Sequence, residues 1–209
     1  MSELLRLAEV MNKLRSPGGC PWDAEQTHES LLKYLLEESY EFIDAVETND
    51  RAGLQEELGD LLLQVYFHAR IAQDDPQNPF TIEDVARGIA DKLINRHPHV
   101  FADVQVSGVA EVISNWEEIK AAEKGRTSAI DGVALSQPSL PLISKLLHRA
   151  EKYGVSLDLP ATQVSDAEMA VEQIIAIAAW ASANEIDLDA LLRQRARVLM
   201  AQIQSNEAR

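Results

Sequence analysis

The sequence predicts an all-α protein. Apolar residues recur at helical spacing in almost every segment, and no convincing strand pair can be found. The 209 residues include only 9 Gly, 8 Pro and 5% aromatics, which suits a helical chain better than a β-sandwich. Hydrophobic residues at 46% and charged residues at 25% allow a buried core and argue against general disorder.

The elements follow in order. Leu4, Leu7, Val10, Met11 and Leu14 form one stripe over Ser2–Arg15, which Ser16-Pro17-Gly18-Gly19-Cys20-Pro21 then breaks. A long helix is expected from about Thr27 to Thr48, with Asn49-Asp50 supplying the turn and the next cap. A third runs from about Arg51 to Gln73 and stops at Asp74-Asp75-Pro76 and Asn78-Pro79. Thr81, with Asp84 three residues on, forms a capping pattern for a fourth helix that reaches Arg96, where Pro98 ends it. Gly108 precedes a fifth over Val109–Lys124. Gly125–Pro138 is poor in large apolar residues and reads as a linker. Three more helices are expected at Ser139–Tyr153, Ser165–Ala183 and Asp187–Gln204. The chain thus divides into residues 1–124, a linker at 125–138 and a helical segment at 139–209.

Charge narrows the function. With 19 basic and 34 acidic side chains the net charge is −15, which nucleic acid and anionic membranes repel. The excess is concentrated: 11 basic and 24 acidic residues precede Gly125, against 8 and 10 beyond it. The lone Cys20 excludes an internal disulfide and a cysteine-based metal cluster. No basic region leads into an apolar run near Met1, and Ile174–Ala183 is too short to span a bilayer, so a cytoplasmic protein is expected.

The informative feature is where the carboxylates fall. With Glu38 as reference and about 100° per residue, Leu31, Tyr34, Leu35, Glu41, Phe42 and Ala45 lie within about 60° of it. Lys33, Asp44 and Glu47 fall on the opposite side, and Glu37 lies at the border. The next helix repeats the pattern, with Glu57 and Asp60 among Leu54, Leu61, Gln64, His68 and Ile71. An isolated buried carboxylate is costly, so two i, i+3 acid pairs on one face call for a cation between them. An oxygen-only set suits Mg²⁺ or Mn²⁺ rather than Zn²⁺. A solvated or Arg-paired glutamate explains any one of these acids, but not two matched pairs. A di-iron bundle would need Glu-x-x-His on two helices, and only Glu25-Gln26-Thr27-His28 fits. Phosphate-binding glycine loops, the nucleophile-elbow serine and the H-E-x-x-H zinc motif are absent.

Glu37-Glu38-x-x-Glu41 followed by Glu57-x-x-Asp60 resembles the E-E-x-x-E…E-x-x-D signature of MazG-type nucleoside triphosphate pyrophosphohydrolases. Cys20-Pro21-Trp22-Asp23 with Gln26-Thr27, the block Glu57–Gln64, Asp91-Lys92-Leu93, Arg96–Asp103 and Trp116–Lys120 resemble the same family in the same order. The resemblance is dense to about residue 124. It implies a helical bundle of the all-α NTP pyrophosphatase type with additional C-terminal helices, a homodimer or higher oligomer, and Mg²⁺-dependent cleavage of NTP or dNTP into NMP and pyrophosphate. Nucleotide-pool cleansing or control would be its task. It further implies Glu38, Glu41, Glu57 and Asp60 as metal ligands and Glu37 as a further ligand or the water-activating base, so that Glu37 and Glu38 are the catalytic pair. Lys92 and Arg96 match phosphate-contact positions, as Lys120 does one turn after Trp116. Trp22 is placed to stack on the base, or else to plug a gap between helices. His97 and His99, flanking Pro98, read as capping or packing residues.

The second half departs from this pattern. Leu140–Asp158 echoes the start of a second family copy, but no E-E-x-x-E occurs after residue 124. Glu168-Met169-Ala170-Val171 has valine where an E-x-x-D would have its aspartate. Residues 139–209 are expected to be a degenerate, non-catalytic remnant. The alternatives are a narrower dNTP pyrophosphatase of the same superfamily and a non-catalytic nucleotide-sensing scaffold.

Overall fold

Short polar side chains start six of the described helices, Asp187 among them, whose carboxylate accepts from the Ala190 N–H at 2.9 Å. Ser2, Thr27, Asp50, Thr81 and Asp166 each accept a hydrogen bond from a backbone N–H of the first turn that follows. Thr27 with Ser30 and Thr81 with Asp84 close reciprocal capping boxes. The computed structural model describes residues 2–123, 125, 127–159 and 163–207, and no strand occurs among them. The helices are α1 (Glu3–Arg15), α2 (Pro21–Glu25), α3 (His28–Glu47), α4 (Arg51–Ala72), α5 (Ile82–Arg96), α6 (Pro98–Phe101), α7 (Val109–Glu123), α8 (Ser139–Lys152), α9 (Ala167–Ala183) and α10 (Leu188–Glu207). Lys124, the expected end of the fifth helix, lies outside the described residues.

Apolar periodicity does not predict the two short helices. Pro21 opens α2 and Pro98 opens α6, each at a first-turn position where the missing N–H costs nothing. Proline thus ends one element and begins the next.

The chain forms two compact units that divide between Trp116 and Glu117. In the first, Met11, Leu31, Tyr66 and Phe67 are buried, with Leu7, Leu14, Tyr34, Leu62, Leu63, Ile71 and Ile82 packed around them. These are the periodic apolar positions of α1, α3 and α4, joined by the start of α5. Each large side chain buried in this way contributes about 1.5–3 kcal/mol. Arg15 ties the turn after α1 into this unit. Its guanidinium donates to the carbonyls of Asp23 and Gln26 and lies 5.5 Å from the Phe67 ring centre. Gly19 is required in that turn, because a Cβ there would meet the backbone carbonyl oxygens of Lys13 and Leu14 at 2.3 Å.

The second unit has its own core. Leu142, Leu146 and Ala150 of α8 pack with Ala196, Leu199 and Ile203 of α10. The segment expected as a linker contributes to it, since Ala129 and Val133 are buried in the same cluster. Polar contacts hold that segment in place of large apolar side chains. Ser128 and the Ala129 N–H donate to Glu207, while Arg149 donates to the carbonyls of Ala129 and Asp131. None of these long-range partners has a periodicity that reveals it.

Candidate active site

A tight turn sets the register of the acidic helices. Asn49 takes φ +57°, and the Asp50 carboxylate caps α4 through Ala52 N and Gly53 N at 3.0 and 3.1 Å. The two long helices therefore run antiparallel, and residues at similar distances from the turn face each other. Glu38 comes opposite Glu57 and Asp60, and His28 comes opposite His68.

Carboxylate oxygens of Glu38, Glu41 and Glu57 lie within 4.8 Å of one another. Glu38, Glu57 and Asp60 are half-buried, while Glu41 and Glu37 are exposed. Burial, then repulsion from Asp60, Glu41, Glu57 and Glu37, raises the Glu38 carboxyl above the usual range for glutamate. Burial and the charges of Glu41, Asp60 and Glu56 raise Glu57 in the same way. The Glu57 Oε2 atom is shielded from solvent without a hydrogen-bond partner. Among the described residues, no lysine or arginine forms an ion pair with Glu38, Glu41, Glu57 or Asp60. Such a set is electrostatically incomplete by itself. Its donors are all carboxylate oxygens, the chemistry of a site for a hard divalent cation.

The other predicted residues fall into separate places. Trp22 is exposed and meets Tyr34 edge-on, with ring centres 6.0 Å apart. Tyr34 lies one turn before Glu38 on α3, so the indole stands beside the acidic helix and is not an interior plug. Arg96 is 7% exposed, and its guanidinium lies 5.5 Å from the Trp116 ring centre. Lys92, one turn earlier on α5, is exposed. Lys120 is half-buried and belongs to the second unit. His97 Nδ1 contacts the Leu93 carbonyl at 2.6 Å, a helix-end contact as expected.

Sequence reasoning missed one polar pair. His28 Nδ1 and His68 Nδ1 are 2.7 Å apart with rings nearly parallel, and the Nε2 of His68 is buried without a partner. Gln64, one turn before His68, is 5% exposed with its Oε1 unpartnered. Glu57, Asp60, Gln64 and His68 thus form a polar row along α4. The helical alignment of His68 with the acids was legible; its partner on α3 needed the register.

Known proteins are similar to this chain in sequence. The model of the MazG nucleotide pyrophosphohydrolase domain matches residues 26–101, which include every acid of the cluster. An uncharacterized 26.1 kDa protein of Streptomyces cacaoi is 44% identical over 208 residues, covering 99% of this chain and 83% of that protein. A nucleoside triphosphate pyrophosphohydrolase of Mycobacterium tuberculosis is 46% identical over 169 residues, 81% of this chain and 51% of that protein. The crystal structure of a mazG-related protein from Thermotoga maritima aligns with TM-score 0.46 and 32% identity, over 57% of this chain and 98% of that one. The chain spans about half the length of the Mycobacterium tuberculosis enzyme. An acidic α3–α4 hairpin inside the matched segment, together with 44% identity to a relative covered over 83% of its length and 46% identity to a nucleoside triphosphate pyrophosphohydrolase, makes this chain a member of the MazG family.

Proposed function

We propose that this protein hydrolyses nucleoside triphosphates, ribo or deoxyribo, to the monophosphate and pyrophosphate in a Mg²⁺-dependent reaction that cleanses or controls the nucleotide pool. The carrying observation is the gathering of Glu38, Glu41, Glu57 and Asp60 on facing helices with, among the described residues, no lysine or arginine in an ion pair with them. The name of the Mycobacterium tuberculosis relative supports the same reaction. That task belongs in the cytoplasm and needs no nucleic-acid or membrane partner. No helix among the described residues is long and apolar enough to cross a membrane.

Glu38, Glu41, Glu57 and Asp60 would hold Mg²⁺, with Mn²⁺ as substitute. Bound there, the ion would offset phosphate charge and lower the pKa of the attacking water. The exposed Glu37 carboxylate takes the proton as the water oxygen bonds to the α-phosphorus. The bond from that phosphorus to the bridging oxygen breaks, and pyrophosphate leaves. Lys92 meets the phosphates as an exposed point charge, while Trp116 keeps the Arg96 guanidinium flat for the same purpose. The family resemblance gives Lys120 the part of a third cation. Trp22 offers an exposed ring face to the base.

Residues 1–124 carry this chemistry in our reading, and 139–209 are a degenerate copy that supports packing. Val171 of α9 stands where a second ligand set would need its aspartate. Incubation with each NTP and dNTP, with and without Mg²⁺, and separation of the products tests the proposal. Monophosphate and pyrophosphate are expected; diphosphate and orthophosphate would overturn it.

A further inference from the structure

The Trp116–Lys120 stretch of α7 sets an acid beside its cation. At about 100° per residue, Lys120 falls between Trp116 and Glu117 around the helix, about 40° from one and about 60° from the other. A glutamate three residues before a lysine attracts it along a helix surface. A lysine neutralised by its own helix offers less charge to a triphosphate. In this chain the Glu117 carboxylate is engaged by α8. Its Oε2 accepts a hydrogen bond from Lys152 Nζ, and its Oε1 stands 4.0 Å from His148 Nε2. His148 and Lys152 are one turn apart on α8 and meet the same carboxylate. The hydrogen bond from Lys152 outweighs burial and, with the charges of Lys152, His148 and Lys120, holds the Glu117 carboxyl below the ordinary glutamate range. Glu117 is thus ionised and feels the charge of Lys120, yet it is bonded to another helix. That helix is a firm support. Leu142, Leu146 and Ala150, on its far side, are at most 2% exposed in the second core.

We infer that Lys152 is a positioning residue of the proposed reaction: by holding Glu117 on α8, it keeps that carboxylate from competing with the triphosphate for Lys120. The inference rests on the part given to Lys120 above, and it gives α8 a task beyond packing. Glu117, Lys120, His148 and Lys152 all lie in the second unit, so the arrangement is internal to it. The Glu117–Lys152 pair joins two helices across 35 residues, with side chains 32% and 39% exposed. A pair that open to solvent contributes little to stability. Loss of Lys152 therefore acts on substrate binding before it acts on melting. Two other roles for Lys152 give different dependences on Glu117. A brace for α7 is lost equally from either end of the pair. A direct contact with the triphosphate is lost with Lys152 whatever stands at position 117. Only a lysine that restrains Glu117 becomes dispensable once that carboxylate is gone.

Steady-state pyrophosphate release by the full chain in Mg²⁺, with the triphosphate that the wild type turns over fastest, tests this. Lys152→Ala is expected to raise KM about three- to tenfold with kcat within about twofold of wild type. Lys152→Arg is expected to restore KM. Glu117→Gln alone is not expected to raise KM, and added to Lys152→Ala it is expected to bring KM back. On a Lys120→Ala background, Lys152→Ala is expected to add nothing. Calorimetry with the α,β-methylene analogue of that triphosphate, which cannot release pyrophosphate, is expected to rank the variants in the same order. Circular dichroism confirms that each variant is folded, and Lys152→Gln serves as a second neutral replacement. An unchanged KM in folded Lys152→Ala overturns the inference. So does a raised KM that Glu117→Gln leaves in place, the result of a direct phosphate contact or a brace. Absence of pyrophosphate release by the wild type sinks the proposed reaction and this inference together, whereas release with an unchanged Lys152→Ala KM sinks the inference alone.

Discussion

Glu38 is held in a condition that its own chain does not relieve. Burial and four neighbouring acids raise its carboxyl above the ordinary 4.5. A carboxyl with a raised folded pKa binds protons more tightly in the folded state, so its destabilising charge is absent below 4.5 and grows as pH rises through the folded value. Glu38→Gln and Asp60→Asn are therefore expected to raise the melting temperature of the metal-free protein at about pH 7. The same variants are expected to lower pyrophosphate release by about two orders of magnitude or more. Calorimetry in chelator and a product assay check the two halves; lower stability together with full activity would refute the ligand assignment. His68 has the opposite sign. Burial, then the neighbouring His28, lowers its pKa below 6.5. The unfolded chain then takes up the proton first, so stability falls as pH drops below about 6.5. Glu29 and Asp75, which both feel the charge of His28, act on the outer ring of the pair. His68→Asn is expected to flatten the stability curve between about pH 7 and 5, measured as denaturation midpoints across that range.

At the scale of elements, the α3–α4 hairpin joins core and site. Leu31 is 1% exposed and lies on the same helix face as Glu38, two turns earlier. Leu31→Ala is expected to cost about 2–5 kcal/mol, read from the urea midpoint, and to reduce activity by loosening α3 against α4. Asp50→Ala removes the cap of α4 and is expected to cost about 1 kcal/mol. The hairpin was legible because its signals are local. Apolar spacing marks both helices, Asn49-Asp50 marks the turn, and Thr27 marks the start. The facing of Glu38 toward Glu57 also follows from one short turn between two long helices. The packing of Ala129 and Val133 was not legible, since it depends on Glu207, which accepts hydrogen bonds from Ser128 and Ala129 across 79 and 78 residues. The His28–His68 contact spans 40 residues and is a matter of register. Arg96 reads as a surface cation by type, yet it is buried against Trp116, a pairing that no spacing rule connects.

At the scale of the molecule, two cores imply two responses to ligand. Met11, Leu31, Tyr66 and Phe67 stabilise the first unit, while α8, α10 and the 125–138 segment stabilise the second. Every acid of the cluster lies in the first. A cation that binds only the folded cluster stabilises that unit by RT ln(1 + [L]/Kd), about 2.7 kcal/mol at a hundredfold excess over Kd. Relief of repulsion between Glu38 and Glu57 is part of that binding free energy, so the gain is largest at neutral pH and fades as the carboxylates take up protons. Hydrogen exchange read by mass spectrometry separates the two units within one intact chain. Adding Mg²⁺ is expected to slow exchange of the α3 and α4 amides by up to about a hundredfold where they open through unfolding of the first unit. Amides of α8 and α10 are expected to exchange at an unchanged rate. Glu38→Gln with Asp60→Asn is expected to abolish the slowing. Equal protection of α8 and α10 would show that the units unfold as one, and Mg²⁺ protection that survives both substitutions would place the cation elsewhere.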